Sequence, residues 1–425
     1  MRFVCAPADH SVLSGKVRDV GVVLYSQPQK TGQGAAGGAV FDQIRRRKLT
    51  PAPKAWDLLS IALSVVAADG RVERRTSVDG WTRKIELVIA VNDPKFWSGQ
   101  KDLVESALRF LTTDIWEIEF IEGGMLPAPP REPSALSQEC VALLSGGLDS
   151  LVGGLDLAAA AAKPYLVSQV SSGDKKNQAF FAMKIGGKDA HLPLNHNAQC
   201  PGPNERSQRS RSVVFFAYGV LAATALAIYQ AGGAVRLYAS ENGLIAINPP
   251  LTPARLGALS TRTMHPVYLA TLQSLLDNAG LRVTIENPYR FKTKGEMLAG
   301  CADQDFLRKY AHTATSCGRF RRFKFTHCGR CLPCLIRRAA FHAWGQKDRT
   351  KYVYGNLGKN DDDHAGYDDV RSAAMAVAAA KSEGLDSVIG ASLSSPLVEN
   401  LNDYRDVVQR GLDELAAFLT SQGVK

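Results

Sequence analysis

Apolar positions divide the chain into two α/β patterns. In the first, apolar residues at helical spacing alternate with short β-like runs, so residues 1–126 are predicted to form a small N-terminal α/β domain. Residues 28–39 are rich in glycine and alanine, and this composition predicts a flexible loop. The helices of this domain are predicted at 55–68 and 101–111, and its strands at 85–91 and 115–121.

A proline-rich segment separates the two patterns. Residues 126–133 contain four prolines in eight positions, which predicts an extended linker that we place at 127–137. Beyond it, strands alternate with helices through residues 138–345, an order typical of a doubly wound parallel sheet. Residues 346–425 begin with an acidic, turn-rich segment around 361–363 and continue into a predicted helical extension. The strands of the sheet are predicted at 140–144, 164–170, 190–194, 235–240 and 282–287, and the longest helix at 212–230.

The composition narrows the range of partners and locations. The 425 residues include 51 Lys and Arg against 41 Asp and Glu, and the resulting net charge of +10 favours anionic partners such as nucleotides, nucleic acid or an acidic protein. The longest apolar run, residues 213–229, has 17 residues and falls short of the ~20 needed to span a bilayer. The N-terminus lacks the apolar core of a signal peptide. We therefore expect a cytoplasmic protein.

A glycine-containing turn follows the first predicted strand of the second pattern. Glycines at a strand-to-helix turn let the backbone close around a ligand, and the free N–H groups at the helix start attract an anion. The serine hydroxyls add donors, while Asp149 can either cap the helix or hold Mg²⁺. The turn matches neither a Walker loop nor a dinucleotide-binding fingerprint. The candidate phosphate-binding residues are Ser145, Gly146, Gly147, Leu148, Asp149 and Ser150.

Four of the eight cysteines form a local cluster with the spacing C-x10-C-x2-C-x2-C. In a cytosolic chain such a cluster favours a metal site over disulfides. Four thiolates can complete one closed tetrahedral Zn²⁺ site, which would make the metal structural. An iron–sulfur cluster is the competing interpretation, because C-x2-C-x2-C also occurs in those proteins. The candidate ligands are Cys317, Cys328, Cys331 and Cys334.

Basic residues are concentrated around the same cysteines. They are compatible with contacts to nucleic acid, to ATP phosphates or to a partner protein, and equally with a solvated surface. The residues are Arg319, Arg321, Arg322, Lys324, Arg330, Arg337 and Arg338.

The turn at 145–150 resembles the PP-loop of the ATP pyrophosphatases. The resemblance implies a fold of the adenine-nucleotide alpha-hydrolase-like type. It also implies ATP and Mg²⁺ as cofactors, in a reaction that cleaves ATP between the α- and β-phosphates to activate a carboxylate or carbonyl oxygen. Residues 291–296 resemble the lysine-containing motif of that superfamily, in which Lys294 would reach the phosphates.

The PP-loop and the cysteine cluster together resemble the 7-cyano-7-deazaguanine synthases (QueC) over residues 138–345. Thr315-Ser316-Cys317 and the Cys328-Gly329-Arg330-Cys331 run fit that family's motifs, and the family's Cys₄ zinc is structural. The segments at 240–250 and 260–266 depart from its substrate loop, and both ends of the chain are extended. These departures resemble the QueC-like proteins of bacterial antiphage operons, particularly the QatC proteins of the Qat system.

The resemblance implies an ATP-dependent ligase. A 7-deazaguanine carboxylate would be adenylated with release of pyrophosphate and passed to an amine, the N-terminus of a partner protein. By this resemblance Arg211 is assigned to the nucleotide site. The residues assigned to the substrate are Glu241, Asn242, Arg262 and His265.

Three other functions stay open. The first is synthesis of free 7-cyano-7-deazaguanine with ammonia as the acceptor. The second is tRNA thiolation, which needs a reactive cysteine outside the metal site. The third is a non-catalytic module that uses its positive charge to bind nucleic acid; nucleic acid is also a conceivable, but not required, partner of the ligase.

Overall fold

Two five-stranded parallel sheets form the framework of the chain. The computed structural model describes residues 1–14, 19–251, 262–357 and 369–424. Positions 260–261 of the predicted substrate loop and the acidic residues 361–363 lie outside these ranges. The strands are β1 (Arg2–Pro7), β2 (Val20–Leu24), β3 (Gly34–Ala36), β4 (Lys84–Ala90), β5 (Ile115–Ile121), β6 (Cys140–Leu143), β7 (Pro164–Gln169), β8 (His191–Leu194), β9 (Val235–Tyr238) and β10 (Val283–Glu286).

Helices follow most of these strands and also form the C-terminal part of the chain. The described ranges contain sixteen of them. The helices are α1 (Gly38–Arg46), α2 (Pro53–Arg71), α3 (Pro94–Gly99), α4 (Lys101–Thr112), α5 (Leu148–Ala159), α6 (Lys175–Ile185), α7 (Arg211–Thr224), α8 (Ala227–Gln230), α9 (Gly243–Ile247), α10 (Pro266–Asn278), α11 (Lys294–Ala299), α12 (Gln304–Tyr310), α13 (Leu332–Ala343), α14 (Asp369–Ser382), α15 (Asp386–Ile389) and α16 (Leu401–Ser421).

The first sheet has the strand order β3-β2-β1-β4-β5. Its edge strand β3 lies inside the segment predicted to be a flexible loop, so that prediction was wrong for residues 34–36. The small residues of β3 allow the strand to pack closely against the segment that contains Gln199 and Cys200. A Cβ on Gly34 would lie 2.6 Å from the Cys200 sulfur, and Ala35 exchanges two backbone hydrogen bonds with Gln199.

The second sheet has the order β10-β9-β6-β7-β8. From the central strand β6 the chain first moves outward through β7 and β8, and it then crosses to β9 on the other side. At the carboxyl ends of the neighbouring strands β6 and β9, the connecting loops therefore lead to opposite sides of the sheet. In open α/β sheets this switch point is where ligands bind.

One apolar core spans both sheets. Helix α2 packs against α7, so a helix of the first half covers a helix of the second half. The predicted helix at 212–230 is interrupted, because α7 ends at Thr224 and Leu226 is extended. There Leu226 forms a β-bridge with Leu136, and Leu136 also accepts a hydrogen bond from Ala227 N at 3.0 Å.

A buried ionic network joins α2 to the start of α7. The Asp69 carboxylate pairs with Arg83, which also pairs with Asp114. The second oxygen of Asp69 accepts hydrogen bonds from Arg209 N and Ser210 N, both at 2.9 Å, and from the Ser210 hydroxyl at 2.6 Å. Asp69 and Arg83 are fully buried, and Arg83 is the basic side chain that compensates the charge of Asp69.

None of the helices in the described ranges is both long enough and apolar enough to cross a bilayer.

The C-terminal helices pack on the second half of the chain through α13 and α9, both of which contact α16. An apolar cluster that includes Leu335, Val407 and Leu415 fills this interface. The predicted helical extension is thus present as α14, α15 and α16.

Replacing Asp69 with alanine is expected to lower the free energy of unfolding by about 3–5 kcal/mol, because Arg83 would lose one of its two buried partners. Urea denaturation of the purified protein measures this change. The control is Asp386→Ala, which removes the partner of Arg405 in an exposed pair and should have little effect. Similar losses in the two variants would contradict this view of the network.

Candidate functional site

The predicted phosphate loop lies at the switch point of the second sheet. Strand β6 ends at Leu143, and α5 begins at Leu148. Between them Gly146 adopts φ +89°, a conformation that residues with a Cβ rarely take, and an added Cβ would lie 3.1 Å from Asp174 Cβ and 3.3 Å from Gln178 Cγ. The N-terminus of the 12-residue helix α5 therefore opens at the carboxyl edge of the sheet, where N–H groups favour an anion.

The two serines of the loop bond within the loop itself. Their hydroxyl oxygens lie 3.0 Å apart, and the Ser150 hydroxyl donates to Gly147 O at 3.0 Å. The Gly147 N–H donates to the Ser145 hydroxyl oxygen at 3.2 Å. In this structure the serines consequently shape the turn.

Three separate segments meet at the Asp149 carboxylate. Lys294 Nζ, at the start of α11, forms an ion pair with one oxygen. The other oxygen accepts hydrogen bonds from Asn242 Nδ2 at 2.7 Å and from Asn242 N at 3.2 Å. All three side chains are buried: Asp149 and Lys294 are 8% exposed, and Asn242 is 0% exposed. The structure thus brings together three residues that were predicted from distant parts of the sequence.

The two residues that hold Asp149 are themselves positioned by helix starts. Asn242 is the N-cap of α9, where its Oδ1 accepts from Ile245 N at 3.2 Å. Lys294 is the first residue of α11, behind a capping box formed by Thr293 and Glu296. The C-terminal helix α16 supports this start, because Glu414 accepts a hydrogen bond from Gly295 N at 3.2 Å.

Glu241 adds a second carboxyl group to the site. Loss of water around it raises its pKa to about 8, with a smaller contribution from the negative charge of Asp149, while Lys294 acts in the opposite direction. Its backbone is clamped by Asn287, whose Oδ1 accepts from Glu241 N at 3.2 Å and whose Nδ2 donates to Glu241 O at 2.8 Å. The site therefore contains two different carboxyl groups: Asp149 is paired with Lys294 and Asn242, whereas Glu241 has a raised pKa because it is shielded from water.

Several buried polar atoms around Gly146 have no hydrogen-bond partner within the described residues. Gln178 is 1% exposed; its Nε2 donates to Ser145 O at 2.9 Å and to Gln169 O at 3.0 Å, but its Oε1 is unpaired. Thr315 bonds the loop through its backbone, donating to Gly146 O at 3.0 Å. Such atoms are costly to bury unpaired, so their concentration here favours a polar ligand. The unpaired atoms are Gln169 Nε2, Asp174 Oδ1, Gln178 Oε1 and Thr315 Oγ1.

These polar neighbours were not among the predicted site residues. Asp174 and Gln178 follow β7, and Thr315 precedes the first cysteine of the cluster. A position just beyond the carboxyl end of a strand was the available signal for the loop after β7. The approach of Thr315 to Gly146 depends on tertiary packing and had no local signal.

The other predicted ligand-binding residues have different surroundings. Arg211 is the exposed first residue of α7, in the chain that leaves the carboxyl end of β8. Arg262 donates to Phe110 O at 3.3 Å and stacks 4.6 Å from that ring. His265 is the N-cap of α10, and its Nε2 lies 2.7 Å from Ser392 O. Within the described ranges, none of these contacts joins Arg262 or His265 to the phosphate loop, and their roles stay predictions.

The four clustered cysteines fit a tetrahedral metal ion. Their sulfur atoms all lie within 4.8 Å of one another, with 3.8 Å between Cys317 and Cys331 and 3.9 Å between Cys328 and Cys334. Zinc–sulfur bonds of about 2.3 Å place tetrahedral sulfurs about 3.8 Å apart. The cluster can therefore hold a metal ion such as zinc.

Backbone donors around the cluster suit thiolate sulfurs. Cys317 Sγ accepts hydrogen bonds from Cys328 N at 3.3 Å and Arg319 N at 3.4 Å, and Cys328 Sγ accepts from Cys331 N at 3.3 Å. Such outer contacts orient metal ligands. Burial lowers the pKa of the neighbouring His327 to about 4, so its neutral ring accepts a hydrogen bond from Ser316 N at 3.1 Å.

Sequence comparison does not assign the chain to a family. No protein-family model matches it, and no curated protein matches it significantly.

Replacing Cys334 with serine is expected to abolish stable metal binding, because three thiolates leave the tetrahedral set incomplete. Metal analysis of the native protein should find about one zinc ion per chain. The control is Cys200→Ser, outside the cluster, which should keep the metal. Full zinc content in Cys334→Ser, or iron in the native protein, would contradict the zinc assignment.

Replacing Glu241 with glutamine is expected to flatten the dependence of stability on pH. In the folded chain the pKa of Glu241 is about 8, whereas an unfolded glutamate has a pKa of ~4.3. Ionisation is therefore disfavoured by the fold, and the native protein should lose stability as pH rises from about 4 to 8. Urea denaturation without divalent cations measures this loss, which Glu241→Gln should reduce and the exposed control Glu122→Gln should not. Identical pH profiles for native protein and Glu241→Gln would contradict the raised pKa.

Proposed function

We propose that this chain is an ATP-dependent ligase that forms a C–N bond. It adenylates a 7-deazaguanine carboxylate, releases pyrophosphate, and transfers the acyl group to an amine at the N-terminus of a partner protein in a cytoplasmic antiphage system. The observation that carries the proposal is the meeting of Asp149, Lys294 and Asn242 beside the phosphate loop. The deazaguanine substrate and the protein acceptor rest on the resemblance to QueC-like proteins.

The charges and dipoles at the switch point suit a triphosphate. The N–H groups at the start of α5 favour phosphate oxygens, and Lys294 supplies a cation at the same edge. Asp149 offers carboxylate oxygens of the kind that Mg²⁺ prefers. Bound there, Mg²⁺ would neutralise charge on the phosphates.

The reaction has two displacement steps. In the first, a carboxylate oxygen of the substrate bonds to the α-phosphorus of ATP, and the bond to pyrophosphate breaks. In the second, the amine nitrogen bonds to the acyl carbon, AMP leaves, and one proton is lost from the nitrogen. With a pKa of about 8, Glu241 is suited to accept this proton near neutral pH.

Because the acyl-adenylate forms before the amine reacts, the product is determined by which amine acceptor the protein binds. An acyl-adenylate reacts with the amine that is held against it at high effective concentration. In this proposal the N-terminal α/β half of the chain supplies the docking surface for the partner. Ammonia in place of that amine would give the alternative activity, synthesis of 7-cyano-7-deazaguanine.

Lys294→Gln is expected to reduce pyrophosphate release by about 100-fold, because a cation at the phosphates would be lost. Purified protein is incubated with ATP, Mg²⁺, 7-carboxy-7-deazaguanine and the protein that copurifies with it, and pyrophosphate is measured. The matched control is Lys292→Gln, two positions earlier on an exposed side chain, which should stay near the native rate. Equal rates for the two variants would exclude the proposed site.

Intact-mass measurement of the copurifying protein tests the transfer step. The expected result is a mass increase equal to one acyl group, dependent on ATP. Rapid nitrile formation from ammonium without any partner would instead identify the chain as a synthase of the free base.

A further inference from the structure

A loop beside the phosphate site combines basic and aromatic side chains. It runs from Gly318 to Thr326 between the first two cysteines of the cluster, and it contains four basic and three aromatic residues but no acidic one. Such a composition is not needed to hold a metal ion, because a closed Cys₄ site uses only the thiolates. The basic and aromatic residues are Arg319, Phe320, Arg321, Arg322, Phe323, Lys324 and Phe325.

Two of the aromatic residues anchor this loop. Phe320 and Phe323 are partly buried against the four cysteines, and the Phe320 ring lies 5.1 Å from that of His327. The chain then turns back through two successive residues with positive φ, Lys324 at 50° and Phe325 at 62°. A left-handed conformation is unfavourable for residues with a Cβ, so the fold imposes this turn.

The third aromatic residue points to the surface. Phe325 is 47% exposed, and its ring packs on the loop after β7 at Gly173, where an added Cβ would lie 2.8 Å from a ring carbon. The ring is thus supported by the protein on one side and open to solvent elsewhere. A single exposed apolar side chain is common on protein surfaces, so the ring points to a ligand only together with the cations of the two segments that meet there.

Four exposed cations lie in the two segments that meet at this ring. Arg321 and Lys324 precede Phe325 in the loop, and Lys175 and Lys176 lie in the first turn of α6, just after Gly173. Positive charges in the first turn of a helix oppose its dipole, so the fold gains nothing from the two lysines there. In the part of the chain that the structure describes, none of the four cations forms an ion pair with a carboxylate.

We propose that these five residues form a surface that binds single-stranded nucleic acid, and we call it the basic-aromatic surface. Unpaired cations can neutralise successive phosphates, while an open ring stacks on a base without reading its identity. An acidic protein segment would use the cations but not the aromatic face. The members of the surface are Lys175, Lys176, Arg321, Lys324 and Phe325.

The basic-aromatic surface is next to the phosphate loop. Helix α6 carries both Lys175 and Gln178, and Gln178 donates to Ser145 O at 2.9 Å. A nucleic acid bound to this surface would therefore pass close to the switch point of the second sheet. The binding itself requires neither ATP nor acyl transfer, so it stands independently of the proposed ligase activity.

Fluorescence anisotropy with a fluorescein-labelled thymidine 20-mer tests the proposal on the full-length, metal-loaded protein without ATP. If four phosphates are neutralised, affinity should fall about 50-fold between 50 and 200 mM NaCl. The double variant Arg321→Glu/Lys324→Glu should bind at least about tenfold more weakly. Phe325→Ala should also lose about tenfold, through lost stacking.

The matched control is Lys184→Glu/Lys188→Glu, which makes the same change in net charge. Lys184 lies in the last turn of α6 and Lys188 in the short turn that follows it, both exposed near the amino edge of the sheet. The control should bind within about twofold of the native protein. Metal content and thermal unfolding are measured for every variant. If the loop variants lose metal, Lys175→Ala/Lys176→Ala on the separate helix must show the weakening instead.

Four results would overturn the proposal. They are the absence of binding at 50 mM NaCl, an affinity that does not depend on salt, equal weakening in the test and control pairs, and tighter binding of a labelled polyglutamate peptide that the same variants weaken. The last result would make the surface a site for an acidic protein. Because the binding assay contains no ATP, none of these outcomes changes the result expected in the pyrophosphate assay.

Discussion

The Asp149 carboxylate is the point on which the second half of the chain converges. It lies in the first turn of α5 and receives Lys294 from the segment after β10 and Asn242 from the segment after β9. These segments approach one another because β6 and β9 are parallel neighbours, at the point where successive strands begin to be added on the opposite side of β6. The buried ion pair thus depends on the strand order, and it ties the first turn of α5 to the segment after β10.

Burial of the Asp149–Lys294 ion pair has a cost in free energy. A carboxylate and an ammonium removed from water must compensate each other, since an isolated buried charge is unfavourable by several kcal/mol. Around them, the unpaired atoms of Gln178 and Thr315 have a similar need for partners. The Thr315 hydroxyl and Gln169 Nε2 can donate to phosphate oxygens, whereas Gln178 Oε1 and Asp174 Oδ1 are acceptors and need a donor such as water. A triphosphate together with its bound water would therefore supply partners for both kinds of atom.

Local chemistry was enough to predict a large part of this arrangement. In residues 138–345 the order of strands and helices followed from periodicity, whereas β1 and β2 of the first sheet were not predicted. The strand-to-helix turn at 145–150 and the cysteine cluster followed from glycine and thiolate spacing. Strand β3 was missed because its glycines and alanine serve close packing against Cys200, which composition alone does not distinguish from flexibility. The end of α7 was missed because Leu226 pairs with Leu136 far away in sequence. The environment of Glu241 is likewise set by tertiary packing around its carboxyl group.

The central claim is that the amides around Gly146 bind the phosphates of ATP. A crystal structure with Mg²⁺ and a non-hydrolysable α,β-methylene analogue of ATP tests this claim most directly. The account predicts phosphate oxygens within hydrogen-bond distance of N–H groups at the start of α5, with Lys294 Nζ beside them. An analogue bound elsewhere in the protein, with this turn unchanged and in contact only with solvent, would contradict it.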